Sequence, residues 1–154
     1  MAHANDTAPV FPLLLDEQLC FSLYSVSRQV TAAYRPLLDE LGLTYPQYVT
    51  MLALWEQAPV SMKALGEALD LDYGTLTPLI KRLEAAGLVR RQRRVDDERA
   101  VDVHLTDDGR ALREKAVHIP DRIAEAMGLS ETQFARLQRD LAVLASNLSR
   151  TVGS

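Results

Sequence analysis

The sequence predicts a mainly α protein with a small β wing: a winged helix-turn-helix flanked by N- and C-terminal dimerisation helices. Two short amphipathic segments at residues 60–86 have the three- and four-residue spacing of helices. Residues 89–105 contain two strand-like segments around a charged tip. Residues 13–41 and 106–152 are longer helical segments on either side of this lobe. A hairpin that directly follows a helix-turn-helix is a wing, so the middle of the chain is predicted to bind DNA.

The helix-turn-helix starts at Ser61, whose hydroxyl can accept a hydrogen bond from a free N–H of the first turn. The second helix is expected to begin between Asp72 and Gly74, and Gly87 suits the left-handed position after its end. Pro78 conflicts with this helix, because proline is costly beyond the first turn. The predicted inner face of the second helix consists of four apolar residues, Leu76, Leu79, Ile80 and Leu83.

The wing has two predicted strands. The first, Val89–Val95, is rich in arginine, and the second, Val101–Leu105, alternates apolar and polar residues as a half-buried strand does. The tip between them, Asp96–Arg99, is charged. Asp97 and Arg99 are two residues apart, so their side chains would project to the same side of an extended hairpin. We therefore expect Asp97 to orient Arg99 towards a narrow minor groove.

Positive charge is concentrated in one stretch of the chain. The whole sequence has 17 Lys+Arg and 21 Asp+Glu, and its net charge of −4 argues against a general polyanion binder. Residues 75–94 nevertheless contain six bases and one acid, Glu84. A solvated surface would give the same count, but hydroxyls and cations on the outward face of the second helix favour contact with base edges and phosphates. The predicted DNA-binding residues are Thr75, Thr77, Lys81, Arg82, Arg93, Arg94, Asp97 and Arg99.

Length and apolar patterning limit the domain organisation. At 154 residues the chain can bury one core, and we assign residues 13–154 to a single winged-helix domain with its DNA-binding lobe at 60–105. Residues 1–12 are predicted to be a disordered lead-in without the features of a secretion signal. No apolar run approaches the ~20 residues of a membrane span. We expect a cytoplasmic protein with no membrane partner.

Patterns typical of catalytic and metal sites are absent from the sequence. A single cysteine excludes an intrachain disulfide and a cysteine-rich zinc site, and the three histidines lack metal-ligand spacing. There is no phosphate-binding glycine loop and no nucleophile elbow. The sequence therefore predicts no cofactor, no metal site and no enzyme.

Four further helices are predicted around the lobe. Residues 13–16 lead into the first, which runs to about Leu41 with a kink or short break near Pro36, and the next covers about residues 44–56. A helix that starts at Thr106 should bend near Pro120, and the last helix begins near Ser130. Its apolar seam, at spacings of three and four residues, is Phe134, Leu137, Leu141, Leu144 and Leu148.

The seam of the last helix covers about two heptads, which is short for a free coiled coil. Packing within its own domain is therefore an open alternative. Winged DNA readers usually act in pairs on two half-sites. We predict that the helices at 13–41 and 106–152 form a homodimerisation platform.

Cys20 lies near the start of the first helix. A free cysteine on an apolar helix is ordinarily a small buried hydrophobic residue, and this alternative stays open. Two features favour a reactive thiolate instead: the partial positive charge of a helix N-terminus, and phenol hydroxyls that can donate hydrogen bonds to it. Four of the five tyrosines lie in the first third of the chain: Tyr24, Tyr34, Tyr45 and Tyr48.

Several motifs carry a resemblance to a known family. They are residues 76–89, the wing tip Asp97-Glu98-Arg99, and the sequence Leu105-Thr106-Asp107-Asp108-Gly109. Together they resemble the MarR family of bacterial repressors over nearly the whole chain. Residues 16–21 and 43–48 resemble the subgroup of that family that senses organic hydroperoxides.

The resemblance implies a homodimeric repressor whose reduced form binds double-stranded operator DNA with an inverted repeat. An organic hydroperoxide, the inducer, would oxidise the cysteine to a sulfenic acid and release the DNA. By position, Cys20 matches the reactive cysteine, and Tyr34 and Tyr45 match the phenols that bond to it. Residues 122–127 contain no second cysteine. The resemblance is therefore to the one-cysteine type, in which a small external thiol or a backbone nitrogen captures the sulfenate.

Helix geometry adds a condition to this sensor. Cys20 and Tyr34 are 14 residues apart in one predicted helix, which corresponds to about 21 Å along its axis. The phenol that reaches Cys20 would then come from the partner chain.

Three other functions are alternatives to this one. A MarR-type repressor could be released by a phenolic or aromatic ligand bound near the tyrosines and Trp55, with Cys20 structural. A peroxidase acting through Cys20 is disfavoured, because nothing in the chain resembles a thioredoxin-like fold. A protein-interaction module would leave the local positive charge unexplained.

Overall fold

The computed structural model describes residues 13–152, so the predicted lead-in at residues 1–12 lies outside the described residues. The described part is mostly helical with one small sheet, and the predicted fold class is confirmed. No helix in the described part is long and apolar enough to cross a membrane. The elements are α1 (Leu19–Asp39), α2 (Tyr45–Gln57), β1 (Val60–Ser61), α3 (Met62–Leu69), α4 (Tyr73–Ala85), β2 (Val89–Arg93), β3 (Val101–Leu105), α5 (Asp107–Ala116), α6 (Ile119–Met127) and α7 (Glu131–Val152).

The described residues form two compact units, one that ends at Tyr45 and one that begins at Pro46. In the first unit, a 3-10 turn at Leu15–Glu17 precedes α1. Helix α1 begins at Leu19, because Gln18, the residue before it, has an extended backbone (φ −89°, ψ 108°).

Helix α1 continues through Pro36 without the predicted break. A proline there removes one hydrogen bond, to the carbonyl of Ala32. Ala32 is exposed, so water can satisfy that carbonyl, and only three helical residues follow Pro36. The cost of the proline is therefore small enough for the helix to continue.

The core of the second unit is formed by α2, the helix-turn-helix and the sheet. The predicted inner face of α4 is confirmed, since Leu76, Ile80 and Leu83 are fully buried and Leu79 nearly so. The other fully buried side chains of this core include Met51, Leu54, Leu65, Val89 and Val103.

Both helices of the helix-turn-helix start as predicted. The Ser61 hydroxyl accepts a hydrogen bond from the Ala64 N–H at 3.1 Å. Helix α4 begins at Tyr73, within the predicted interval, because the Asp72 carboxylate accepts from the Thr75 N–H at 2.8 Å. Pro78 is the sixth residue of α4, past the first turn, and leaves the carbonyl of the exposed Gly74 to water.

The C-terminus of α4 is closed by Gly87, which has a positive φ of 76°. The Leu88 N–H donates to the Leu83 carbonyl at 3.1 Å, and the Gly87 N–H donates to the Glu84 carbonyl at 3.0 Å. This pair of bonds is a Schellman motif, which needs a left-handed residue at the glycine position. The predicted role of Gly87 is confirmed.

The sheet is antiparallel, with strand order β1-β3-β2. Val89 pairs with Leu105 and Arg93 with Val101, so the predicted hairpin is present. Strand β2 ends at Arg93, two residues earlier than predicted, where the chain bends. Strand β1, whose Val60 pairs with Val103, was not predicted, because two residues are too few to show an alternating pattern.

The predicted bent helix after the wing is instead two helices, α5 and α6. Pro120 lies in the first turn of α6, where its missing N–H would have no helical partner in any case. The proline therefore starts a helix rather than bending one. Helix α7 begins with a reciprocal cap: the Ser130 hydroxyl accepts from the Gln133 N–H at 3.2 Å, and the Gln133 side chain accepts from the Ser130 N–H at 2.9 Å.

Candidate nucleic-acid interface and sensor cysteine

The outward face of α4 presents polar and cationic side chains. Thr75, Lys81 and Arg82 are exposed, and Thr77 is half-buried. The backbone N–H and the hydroxyl of Thr75 hold the Asp72 carboxylate and keep its pKa below the ordinary value. The same helix thus has a buried apolar face and an open face suited to a DNA groove.

Acids within the lobe pair with two of the six bases at residues 75–94. The Glu84 carboxylate accepts from the Arg91 backbone N–H at 2.8 Å and from its guanidinium at 3.0 and 3.3 Å. The Asp102 carboxylate accepts from Nε of Arg94 at 2.9 and 3.0 Å, and this contact raises the pKa of Arg94. Asp102 lies outside residues 75–94, so the charge count for those residues is higher than the positive charge that remains unpaired in the structure.

Four of the predicted DNA-binding cations are exposed and make no ion pair within residues 13–152: Lys81, Arg82, Arg93 and Arg99. The first three lie on α4 and at the end of β2, and Arg99 lies in the wing tip.

The wing tip is a turn rather than an extended hairpin. The Asp97 carbonyl accepts from the Ala100 N–H at 2.9 Å, and the Asp97 carboxylate accepts from the Arg99 N–H at 3.0 Å. The expectation that Asp97 and Arg99 project together from extended strands is wrong, because the tight turn places the carboxylate against the backbone. Asp97 therefore shapes the main chain at Arg99.

A polar junction joins the C-terminal end of α4, the base of the wing and the start of α5. The Thr106 hydroxyl accepts from the Gly109 N–H at 3.0 Å, as a predicted helix cap, and donates to the Gly87 carbonyl at 2.6 Å. The Thr106 N–H donates to the Leu88 carbonyl at 3.1 Å. Trp55 donates through Nε1 to the Gly109 carbonyl at 2.8 Å. A Cβ at Gly109 would lie 2.0 Å from the Leu88 carbonyl oxygen, so only glycine permits this approach.

A cavity of about 520 Å³ lies beside this junction. Its wall includes Trp55, Pro59, Arg90, His104 and Arg113. No tyrosine lines it, so the predicted aromatic cleft contains Trp55 without the tyrosines. The concentration of arginine in this wall gave no distinct signal in the sequence.

Cys20 is the second residue of α1 and is exposed. The rings of Tyr34 and Tyr45 are in contact, with centroids 4.9 Å apart and planes inclined by 52°. Burial, reinforced by the neighbouring Tyr45 phenol, raises the pKa of Tyr34 above its ordinary value of 10.0. Cys20 and Tyr34 lie on the same uninterrupted helix, about 21 Å apart along its axis. Within one chain, the structure therefore brings Tyr34 and Tyr45 together, while Cys20 lies far from Tyr34.

Both predicted dimerisation segments carry exposed apolar side chains. Helix α7 has no buried residue, and Phe134, Leu137, Leu141 and Leu148 of its seam are 41–55% exposed. In α1, Leu19 is 65% and Val26 54% exposed. Among residues 13–152, no group of three or more acidic, histidine or cysteine side chains could hold a metal ion.

Comparison with known proteins identifies the family. The family model for the transcriptional regulator SarA/Rot matches residues 32–116, more than half of the chain. An organic hydroperoxide resistance transcriptional regulator of Bacillus subtilis (strain 168) is 53% identical over 134 residues, which cover 87% of this chain and 91% of the relative. The chain belongs to the MarR/SarA family of winged-helix transcriptional regulators.

Solved structures of MarR-type regulators agree with this assignment. Reduced AbfR bound to DNA is 36% identical, with a TM-score of 0.77 over 90% of this chain and 94% of AbfR. Overoxidised AbfR bound to DNA is 39% identical, with a TM-score of 0.67 over 84% and 95%. AbfR is from Staphylococcus epidermidis. The resemblance inferred from the sequence is confirmed, and the protein is a DNA-binding transcriptional regulator.

Proposed function

We propose that this regulator is a transcriptional repressor that senses organic hydroperoxides through Cys20 and then releases its operator. The observation that carries the proposal is an exposed thiol at the second position of a helix, in a chain 53% identical to an organic hydroperoxide resistance regulator. The thiolate attacks one peroxide oxygen, the O–O bond breaks, and the alkoxide leaves and takes a proton as the alcohol. The cysteine becomes a sulfenic acid.

The proposed DNA face comprises the exposed side of α4, here called the recognition helix, and the wing. Two recognition helices of a homodimer would enter successive major grooves of an inverted repeat, about 34 Å apart. Thr75, Thr77, Lys81 and Arg82 would contact bases and phosphates, while the wing contributes Arg93, Arg94 and Arg99, with Asp97 holding the turn. All of these side chains are exposed except that of Thr77, which is half-buried, and this exposure supports the arrangement.

Substitutions at Lys81 and Thr77 distinguish general DNA affinity from the choice of base sequence. Lys81→Ala should weaken binding to all duplexes and reduce the salt slope by about one, because one phosphate contact is lost. Thr77→Ala should instead relax the preference between operator and altered operators. Titrations at several salt concentrations measure both. Indifference of operator binding to both changes would place the DNA face elsewhere.

The proposed dimer uses the helices at 13–41 and 106–152. Their exposed apolar side chains support this use, because an uncovered apolar seam is costly in water. The single winged-helix domain with a DNA-binding lobe at 60–105 would thus be one half of a two-fold symmetric dimer that binds DNA.

The dimer also completes the proposed sensor. Since Tyr34 is about 21 Å from Cys20 along α1, the phenols that bond to the sulfur would be Tyr34 and Tyr45 of the partner subunit. The phenol of Tyr34, whose pKa is raised above its ordinary value, is protonated at neutral pH and can donate a hydrogen bond. Oxidation would disturb the interface that fixes the spacing of the two recognition helices.

The sulfenic acid needs a second reactant, because this chain has a single cysteine. A small external thiol can attack the sulfur and displace water, which leaves a mixed disulfide. Alternatively, a backbone nitrogen attacks and gives a sulfenamide with loss of water. Mass spectrometry of the oxidised protein distinguishes the two products.

Mixed dimers test the composite sensor. One chain carries Cys20→Ser, and the other carries Tyr34→Phe with Tyr45→Phe. The remaining thiol then faces intact phenols only if these come from the partner. It should react with cumene hydroperoxide as fast as a native thiol. A rate equal to that of the double-tyrosine homodimer would show that the phenols act within one chain or have no role.

A second function is favoured by the cavity beside Trp55. Its volume of about 520 Å³ and its arginine-lined wall suit a small aromatic acid. Trp55 is the single tryptophan, so its fluorescence reports directly on occupancy. Under this alternative, benzoate or phenol changes the emission and releases the operator equally from native protein and Cys20→Ser. An emission that does not respond to either compound excludes it.

A further inference from the structure

Glu84 is the single acid within the basic stretch at residues 75–94. It is in the last turn of α4, and its carboxylate contacts Arg91 in the middle of β2. One carboxylate oxygen accepts from the Arg91 backbone N–H at 2.8 Å, and the other accepts from Nη2 at 3.0 Å and Nε at 3.3 Å. A single side chain thus bonds both the main chain and the guanidinium of the wing strand.

The backbone contact has a specific structural origin. Strand β2 lies at the edge of the sheet and pairs with β3 alone. In an antiparallel pair, alternate N–H groups of an edge strand point away from the partner strand. The Arg91 N–H is such a group, and the Glu84 carboxylate satisfies it. The N–H and the guanidinium of Arg91 also hold the pKa of Glu84 below its ordinary value.

The contact spans the connection between the recognition helix and the wing. This connection passes through Gly87, whose left-handed conformation makes a sharp turn. In the other acid–arginine pair of the lobe, Arg94 follows the end of β2 and Asp102 lies in β3, so this pair lies within the wing. Glu84 with Arg91 is therefore the pair that links helix to wing.

We propose that Glu84 is a positioning residue that holds the recognition helix and the wing in the relative orientation required to contact one operator half-site. It lowers the positive charge of the DNA face but aligns the groups that remain. The proposal rests on the DNA face proposed above. It predicts that removing Glu84 weakens operator binding. Simple charge counting predicts the opposite, because removing an acid strengthens binding to a polyanion.

Two variants of Glu84 test this directly. Glu84→Ala removes both contacts, whereas the amide oxygen of Glu84→Gln can still accept from the Arg91 N–H. Operator Kd should rise about tenfold for Glu84→Ala and about threefold for Glu84→Gln, as expected for loss of charge-assisted hydrogen bonds. Binding to a random duplex should become tighter in both, because that binding is mainly ionic. Thus specificity falls while general affinity rises.

Glu67→Gln is the matched control. Glu67 lies on α3, is exposed, and its side chain makes no hydrogen bond or ion pair within residues 13–152. Its loss should tighten operator and random-duplex binding by the same small factor. Circular dichroism and Tm establish that each variant is folded. If Glu84→Ala is unfolded, the folded Glu84→Gln variant and its specificity ratio decide the matter.

The outcomes are separable from failure of the DNA face itself. If Lys81→Ala and both Glu84 variants leave operator binding unchanged, the DNA face is wrong. If Lys81→Ala weakens binding but the Glu84 variants bind the operator as tightly as native protein or more tightly, the positioning role is overturned. The positioning role is supported if the ratio of operator affinity to random-duplex affinity is highest for native protein, lower for Glu84→Gln and lowest for Glu84→Ala.

Discussion

The carboxylate of Asp97 acts on the main chain of the wing tip, since it accepts a hydrogen bond from the Arg99 N–H. Asp96, its neighbour, is also exposed and makes no side-chain hydrogen bond within residues 13–152. The two acids have the same charge but different structural roles. They can therefore separate the shape of the tip from its charge.

Asp97→Ala should weaken operator binding by about tenfold, because the loss of a hydrogen bond of about 1.4 kcal/mol leaves the Arg99 turn unheld. Asp96→Ala should leave binding unchanged or slightly tighter, because it removes charge alone. Fluorescence anisotropy with labelled operator measures both. Equal gains in affinity for the two variants would show that charge decides.

The pKa of Glu84 predicts a pH dependence of stability. Its contacts with Arg91 lower the pKa of Glu84 in the folded protein below the ordinary value of 4.5. The stabilisation that these contacts provide is therefore fully present above the pKa of Glu84 in the unfolded chain. It is lost as the pH falls through the pKa of Glu84 in the folded protein. Glu84→Gln should therefore lower Tm at pH 7 but have a smaller effect near pH 3. A Tm difference that stays constant between these pH values would contradict this.

At the level of the elements, the junction at Thr106 and Gly109 explains why a threonine and a glycine occur in the Leu105–Gly109 motif. Thr106 caps α5 and also bonds to the turn after α4, while Gly109 permits the close approach of α5 to that turn. The motif that carried part of the family resemblance is thus a packing requirement between two helices and the wing.

Gly109→Ala should destabilise the fold by about 2–4 kcal/mol, because its Cβ cannot be accommodated without moving backbone. Gly74→Ala is the matched control, since its Cβ would meet only the Asp72 carboxylate at an ordinary 3.5 Å. That change should be neutral or stabilise by up to about 1 kcal/mol. Urea denaturation measures both, and equal effects would contradict the role assigned to Gly109.

Elements with strong local signals were predictable from the sequence. The caps at Ser61 and Thr106, and the start of α4 near Asp72, were found because capping depends on a few neighbouring residues. Pro120 was misjudged, because the same proline can bend one helix or start another. Strand β1 was missed, since its pairing with β3 is a long-range contact.

In the predicted site, too, features set by local sequence were predictable and features set by long-range contacts were not. Outward positions on α4 followed from helical periodicity, and their exposure agrees. The pairing of Arg94 with Asp102 and of Arg91 with Glu84 depends on strand register and on the turn at Gly87, which composition does not encode. Charge counting therefore located the basic lobe but not its free cations.

For the whole molecule, the proposed sensing mechanism depends on the position of Cys20. Under that proposal, the exposed thiol on α1, far along the helix from Tyr34, is completed as a sensor by phenols from a second copy. The exposed seam of α7 and the exposed side chains of α1 support such a pairing. Oxidation at the interface could then alter the distance between two recognition helices without touching either one.

Operator affinity before and after organic hydroperoxide, for native protein and Cys20→Ser, tests this connection most directly. Native protein should bind the operator when reduced and lose affinity by about 5–150-fold after cumene hydroperoxide and a small thiol, the usual range of coupling between two sites. Cys20→Ser should bind as tightly as reduced native protein and remain bound under oxidant. Release of Cys20→Ser to the same extent, or retention of the operator by oxidised native protein, would contradict a role for Cys20 in sensing.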